Sequence, residues 1–202
     1  WIRPAYAPPP LDAPLPGDLP GAEQDFFEPG AEEPALRLRG YQVHPAAARP
    51  GGDIAVTLYW EVRQVPSRRW SLFLHALDGV NIIVAQRDRY PGRGLLATER
   101  LKPGQQWSEA MIVTLPDGVY TPDRLTLALG LYDLTTGERM SLAPGGDDRL
   151  FLEPVIDLLP PETDSGLPNA RYDNFNHQMA LRGYEVSARR VSPAEALTVT
   201  LY

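Results

Sequence analysis

The chain has 202 residues, 43% of them apolar and 22% charged, with 22 prolines, 17 glycines and no cysteine. That length suits one domain of ordinary size plus added segments, and the proline and glycine content predicts many turns and few long helices. A net charge of −7 argues against a nucleic-acid partner, which needs a basic face; the lack of cysteine excludes disulfides and thiolate metal sites; no apolar run is long enough to insert in a membrane.

Residues 1–34 read as a proline-rich linker arm, with Pro8-Pro9-Pro10 and then Pro14, Pro16 and Pro20. Proline fixes φ and removes a backbone donor, so this stretch is expected to be extended, with the pair Phe26-Phe27 anchoring it. The N-terminal Trp1-Ile2-Arg3-Pro4 reads as a cut inside a longer protein.

From Leu36 the pattern changes to short alternating runs between turns. Ile54, Val56, Leu58, Trp60 and Val62 share one face, and Leu125, Leu127, Leu129 and Leu131 repeat the device. Further strands are predicted at 36–43, 70–77, 82–89, 107–115 and 149–156. The segment Leu72-Phe73-Leu74-His75-Ala76-Leu77 is apolar on both faces and suits an internal strand. Turns fall at Pro50-Gly51-Gly52-Asp53, Asp78-Gly79, Pro103-Gly104, Pro116-Asp117-Gly118, Thr136-Gly137 and Pro144-Gly145-Gly146-Asp147. Short strands with such punctuation predict an all-β, antiparallel two-sheet β-sandwich, immunoglobulin-like or jelly-roll-like, over residues 35–157.

A linker follows at 158–178, with Leu159-Pro160-Pro161 and Leu167-Pro168, and then the first pattern starts again. Leu38–Tyr59 aligns with Leu181–Tyr202 at a constant shift of 143 and without a gap. Ten of the 22 positions are identical, among them Leu-Arg-Gly-Tyr at 38–41 and 181–184 and Val-Thr-Leu-Tyr at 56–59 and 199–202. Residues 179–202 are therefore expected to be the first strands of a truncated second copy. Two strands cannot make a sandwich alone, so they are expected to lie on an edge of the first domain, to pair with another molecule as a strand-mediated dimer, or to be poorly ordered.

These motifs resemble a family. Trp-Ile-Arg-Pro-Ala-Tyr-Ala-Pro-Pro at 1–9 is similar to the segment after the last membrane helix of large bacterial glycosyltransferases related to the dolichyl-phosphate-mannose protein mannosyltransferases. Leu-Arg-Gly-Tyr, Pro-Gly-Gly-Asp and Val-Thr-Leu-Tyr-Trp-Glu at 56–61 resemble the extracytoplasmic C-terminal β-domains of that family, as do Phe73–Asp78, Val84–Asp88 and Gly130–Asp133. The resemblance implies an extracytoplasmic location, at the cell surface or in the periplasm, within a longer membrane-anchored protein. The family's chemistry belongs to its membrane part, so no catalytic residue carries over.

The chemical motifs are few. His44, His75 and His177 are scattered, without metal-ligand spacing, and no metal or other cofactor is expected. Asp147-Asp148 and Glu32-Glu33 read as solvated turn residues, and no nucleophile elbow or phosphate loop occurs. Tyr59, Trp70, Tyr90, Trp107 and Tyr132 are candidate carbohydrate contacts, because aromatic faces stack on sugar rings. The competing reading places these rings inside the sandwich and over its ends. His75, Arg87 and Asp88 are a candidate polar site, with a surface ion-pair set as the competing reading. The expectation is a non-catalytic accessory module that acts as spacer or contact unit, its partners being glycan or neighbouring domains. Alternatives are a carbohydrate-binding module and a small hydrolase on a sandwich scaffold.

Overall fold

The structure, a computed structural model, describes residues 7–11, 13–162, 166–175 and 178–202. His177, the first six residues of the arm and residues 163–165 lie outside them. The alternating runs form strands where the pattern places them. The sandwich comprises β1 (Gln24–Phe26), β2 (Leu36–His44), β3 (Ala47–Ala48), β4 (Asp53–Val62), β5 (Trp70–Leu77), β6 (Ile83–Arg89), β7 (Gln106–Thr114), β8 (Asp123–Asp133) and β9 (Leu150–Leu158). One sheet has the order β1-β2-β4-β7 and the other β3-β9-β8-β5-β6. All neighbours are antiparallel except the short β3, which runs parallel to β9. One turn of 3-10 helix, Thr98–Arg100, lies in the crossing from β6 to β7. Among the described residues no helix is long and apolar enough to cross a membrane.

The core is the meeting of the two inner faces. Ile54, Val56, Leu58 and Trp60 face Leu125, Leu127, Leu129 and Leu131, and all eight are fully buried. Trp60 stacks on Trp107 at 6.0 Å between ring centroids and meets Phe26 at 5.4 Å. Strand β5 is internal and buried on both sides, as its doubly apolar sequence requires. Pro154 lies within β9, where a proline cannot donate to the ladder. The β8–β9 register shifts between Leu125 and Leu127, opposite this stretch. The neighbouring Glu153 amide donates instead to the Tyr41 hydroxyl at 3.0 Å, which ties the two sheets together.

The stretch 1–34 is not linker throughout. Residues 24–26 are an edge strand of the first sheet, paired with 36–38, and Phe26 is a core residue. The apolar Phe26 finds a hydrophobic slot, and the Arg37 guanidinium grips Asp25 through two hydrogen bonds of 2.6 and 2.8 Å. Upstream, the arm follows the first sheet. Gln106, at the start of β7, donates to the Leu11 carbonyl, and the Pro20 carbonyl accepts from Tyr41 N–H at 2.7 Å. Gly40 permits that approach, since a Cβ there would lie 2.6 Å from the Pro20 oxygen.

Beyond the sandwich lie β10 (Asp173–Phe175), β11 (Met179–Leu181), β12 (Tyr184–Val186) and β13 (Val199–Leu201). Their pairing follows that of the first sheet, at the constant shift of 143 for β12 and β13 and across a shorter connection for β10 and β11. Tyr41, Gln42 and Val43 pair with Leu58, Thr57 and Val56, while Tyr184, Glu185 and Val186 pair with Leu201, Thr200 and Val199. Phe175 pairs with Met179 as Phe26 pairs with Leu36. The correspondence extends upstream. The Pro168 carbonyl accepts from the Tyr184 amide at 3.0 Å and presses on Gly183, as the Pro20 carbonyl does with Tyr41 and Gly40. Gly21 and Asn169, the residues after these prolines, both have positive φ, 79° and 42°.

Candidate functional site

The outer face of the five-stranded sheet carries the densest cluster of polar and aromatic side chains that the sequence singles out. Alternation along β5 sends Leu72 and Leu74 inward and Phe73 and His75 outward. The antiparallel register then sets Phe73 between Asp88 and Gly130, and His75 between Gln86 and Ala128. Tyr132 lies one register step away, opposite Ser71.

Phe73 points away from the core yet is only 1% exposed. Its ring lies over Gly130, where a Cβ would approach Phe73 Cζ to 2.3 Å, so only glycine fits beneath it. His75 covers it at 4.7 Å between centroids, Tyr132 at 6.2 Å, and the Arg139 guanidinium lies 4.9 Å from its centroid. Arg139 is itself held by Asp148, with a 3.0 Å hydrogen bond from Nη1 to Oδ2. The result is a small second core on the outer face, roofed by polar groups.

The roof has defined electrostatics. The Tyr132 hydroxyl donates to Asp88 Oδ2 at 3.1 Å. His75 Nε2 lies 3.6 Å from Asp88 Oδ1, too far for a hydrogen bond but close enough for attraction. Burial lowers the pKa of His75; Asp88 opposes that shift, while Arg139 and Arg149 add to it. Burial also raises the Tyr132 pKa, and the Asp88 carboxylate adds to the rise. Both shifts favour the uncharged forms, a neutral imidazole and a protonated phenol, beside Asp88 and over the covered Phe73 ring. Such a face can hydrogen-bond to a ligand, with the half-buried rings of His75 and Tyr132 open to stacking and that of Phe73 covered. Among the described residues, no group of three or more His, Asp or Glu side chains is arranged to hold a metal ion.

Two of the five aromatic candidates are corrected by the structure. Trp70 and Trp107 are core residues, 0% and 1% exposed, and no ligand reaches them. Their indole N–H groups are consumed inside, by Glu28 at 2.6 Å and Glu109 at 2.9 Å. Tyr59 is half-buried on the outer face of the other sheet, opposite Ser108. Tyr90 follows β6 directly, with the Arg69 guanidinium 4.3 Å from its ring centroid. Only Tyr132 and Tyr90 lie near the cluster, so the five rings make no common platform.

The polar set is divided as well. His75 and Asp88 share the outer face, whereas Arg87 pairs with Leu74 and lies on the other side of β6. Neighbours in a strand point to opposite faces, which separates Arg87 from Asp88. Phe73, Gly130 and Arg139 were not site candidates from the sequence, and Asp148, read there as a solvated turn residue, holds Arg139 in place. The alternation places Phe73 beside His75, but only the return of the chain from β8 to β9 brings Arg139 over the ring.

The fold and this face define an all-β, two-sheet sandwich with a polar-aromatic outer cluster. No family model matches the chain, and no curated protein matches it. Among solved structures, it is similar to the crystal structure of the C-terminal domain of wzt, with a TM-score of 0.46 and 10% identity. That match covers 73% of this chain and 86% of that one. A likeness this distant carries no function from one protein to the other.

Proposed function

We propose that this chain is a non-catalytic accessory and contact module, in which sandwich units follow one another in tandem. The observation that carries the reading is the matched strand register of 36–58 and 179–201, together with the matched proline docking upstream of each. Two stretches that share sequence, pairing and docking are parsimoniously read as copies of one unit. Within this reading the unit is extracytoplasmic, appended to a membrane glycosyltransferase-like protein; the motifs at 1–9, 38–41 and 56–61 support that placement. Its partners are neighbouring units and glycan. Antibodies raised against the chain should label intact source cells without permeabilisation. Labelling only after permeabilisation refutes the placement, and saturable turnover of glycoside or ester substrates refutes the non-catalytic role.

A second reading, a carbohydrate-binding module, rests on the outer cluster. Tyr132, His75 and Asp88 sit on the same sheet face as Phe151, which is 53% exposed. Stacking plus a ring of donors and acceptors is what a sugar face requires. On a glycan array this reading expects saturable binding that Tyr132→Ala abolishes. Binding that survives Tyr132→Ala removes the assigned face, and a blank array removes the reading.

A further inference from the structure

The end of the sandwich that faces the second stretch carries two carboxylates at one point. Asp78 closes the β5–β6 hairpin, and its Oδ1 accepts from the amides of Val80 at 3.0 Å and Ile82 at 2.8 Å. Asp123 opens β8, and its Oδ2 accepts from the Gly79 amide at 3.2 Å. The Asp78 side chain is 1% exposed and that of Asp123 14%. These exposures include the cover that the following stretch provides, and a cation shared by both carboxylates offsets the cost of burying them.

The second stretch provides that cation. Arg189 reaches back and forks, one nitrogen to Asp78 Oδ2 and the other to Asp123 Oδ2. Its guanidinium lies over the Tyr120 ring, 4.8 Å from the centroid. The same surface is held at a second point. Asn169 is buried, accepts from the Thr121 amide at 2.6 Å and donates to the Tyr184 carbonyl at 2.9 Å. Tyr184 meets Tyr120 edge-on at 6.3 Å. Thus Tyr120 and Thr121 of the sandwich are clasped from two positions of the following stretch.

The repeat alignment makes the arginine informative. Shifted back by 143, Arg189 falls on Ala46, which has no guanidinium to offer. We infer that Asp78, Asp123 and Tyr120 form a socket for an arginine of the next sandwich unit, and that the residue at the 46/189 position decides whether a unit docks rigidly on the unit before it. The inference rests on the tandem reading above and specifies how one unit is oriented on another. A forked guanidinium over an aromatic ring fixes direction as well as distance, which a lysine would not do. Arg189→Lys therefore keeps the charge and loses the geometry.

The chain has no cysteine, so a pair introduced at Lys102 and Thr200, both exposed, gives two unique spin-label sites in the full chain. The proposal expects a single narrow label-to-label distance, kept in Arg190→Ala and broadened in Arg189→Ala. Arg189→Lys should fall between them. Asp78→Asn with Asp123→Asn should broaden the distance as Arg189→Ala does, which keeps the test open should one variant fold poorly. A broad distance in the parent chain, or a narrow one that survives both Arg189→Ala and the paired Asn variant, overturns the joint. Substrate turnover by a chain that keeps the narrow distance would refute the accessory role and leave the joint standing.

Discussion

Residues 24–62 and 173–202 make the same strand pairs and end in opposite states. In the first stretch Phe26, Val56 and Leu58 are completely buried, because the five-stranded sheet lies across them. Their counterparts Phe175, Val199 and Leu201 are 54%, 50% and 66% exposed. Pairing register is thus encoded locally, by the alternation and by the proline that docks on the glycine of Leu-Arg-Gly-Tyr. Burial is a property of the opposing sheet and cannot be read from the pair of strands. Stability belongs to the second term, since apolar area removed from water drives folding.

The sharpest way to break this comparison is to truncate the same residue in each stretch. Leu58→Ala should cost about 3 kcal/mol, because it leaves a cavity in a packed core. Leu201→Ala should change stability by no more than about 0.5 kcal/mol, as an exposed substitution does. Urea denaturation followed by tryptophan fluorescence reports both. Equal losses would mean that the second stretch is packed as tightly as the first.

Next in size is Glu109, whose side chain is 2% exposed on the inner side of β7. It accepts from Trp107 Nε1 at 2.9 Å, from Arg89 at 3.2 Å and from the Gly92 amide at 3.2 Å. Arg89 comes from β6, so this pair closes the open side between the two sheets. The second stretch has no such closure among the described residues. Glu109→Ala removes the counter-charge of Arg89, which keeps only its bond to the Ala110 carbonyl, leaves the indole N–H unpaired and should cost about 3 kcal/mol. Glu109→Gln should cost less, since it retains hydrogen bonding. A loss below about 1 kcal/mol for the alanine variant would show that water replaces the carboxylate there.

The matched glycines give a smaller and more discriminating pair. A Cβ at Gly40 would lie 2.6 Å from the Pro20 oxygen and 2.8 Å from Leu19 Cβ. At Gly183 the equivalent approaches are 2.6 Å to the Pro168 oxygen and 3.0 Å to Leu167 Cβ. Gly40→Ala should cost about 2 kcal/mol by displacing the docked arm. Gly183→Ala should leave the melting transition in place and speed hydrogen exchange at the Tyr184 and Thr121 amides. Unchanged exchange at Tyr184 would mean that Pro168 does not hold that strand.

The strands and the turns were legible because each rests on local order. The alternation Ile54-Val56-Leu58-Trp60 and the turn Pro50-Gly51-Gly52-Asp53 suffice to draw β4 and its start. The edge strand at 24–26 was not legible, since three residues among prolines carry too little periodicity. Pairing partners decided it, through Asp25–Arg37 and the burial of Phe26. In the outer cluster, a register shift between Ala76 and Leu77 sets Asp88 instead of Arg87 on the face of His75, and the turn at Asp78-Gly79 alone does not announce it. Trp70 and Trp107 resisted such reasoning, because a tryptophan at a strand end fits a core and a rim equally well. Arg139 and Arg189 depend on contacts between distant parts of the chain, and no local pattern announces them.

The smallest expected effect concerns the outer cluster, which has no counterpart among the described residues of the second stretch. Burial holds His75 below its ordinary 6.5, even though Asp88 pulls the other way. A histidine whose folded pKa is depressed binds its proton first in the unfolded chain. Its contribution to stability is then complete above about pH 6.5 and is lost as pH falls through the folded value. Urea denaturation from about pH 8 to pH 5 should show a decline in stability that His75→Gln flattens. The substitution also separates the two forces on the imidazole. If the decline persists in His75→Gln, it belongs to other titrating groups. If stability rises as pH falls, the attraction of Asp88 outweighs burial, and the cluster carries a charged imidazolium instead of a neutral ring.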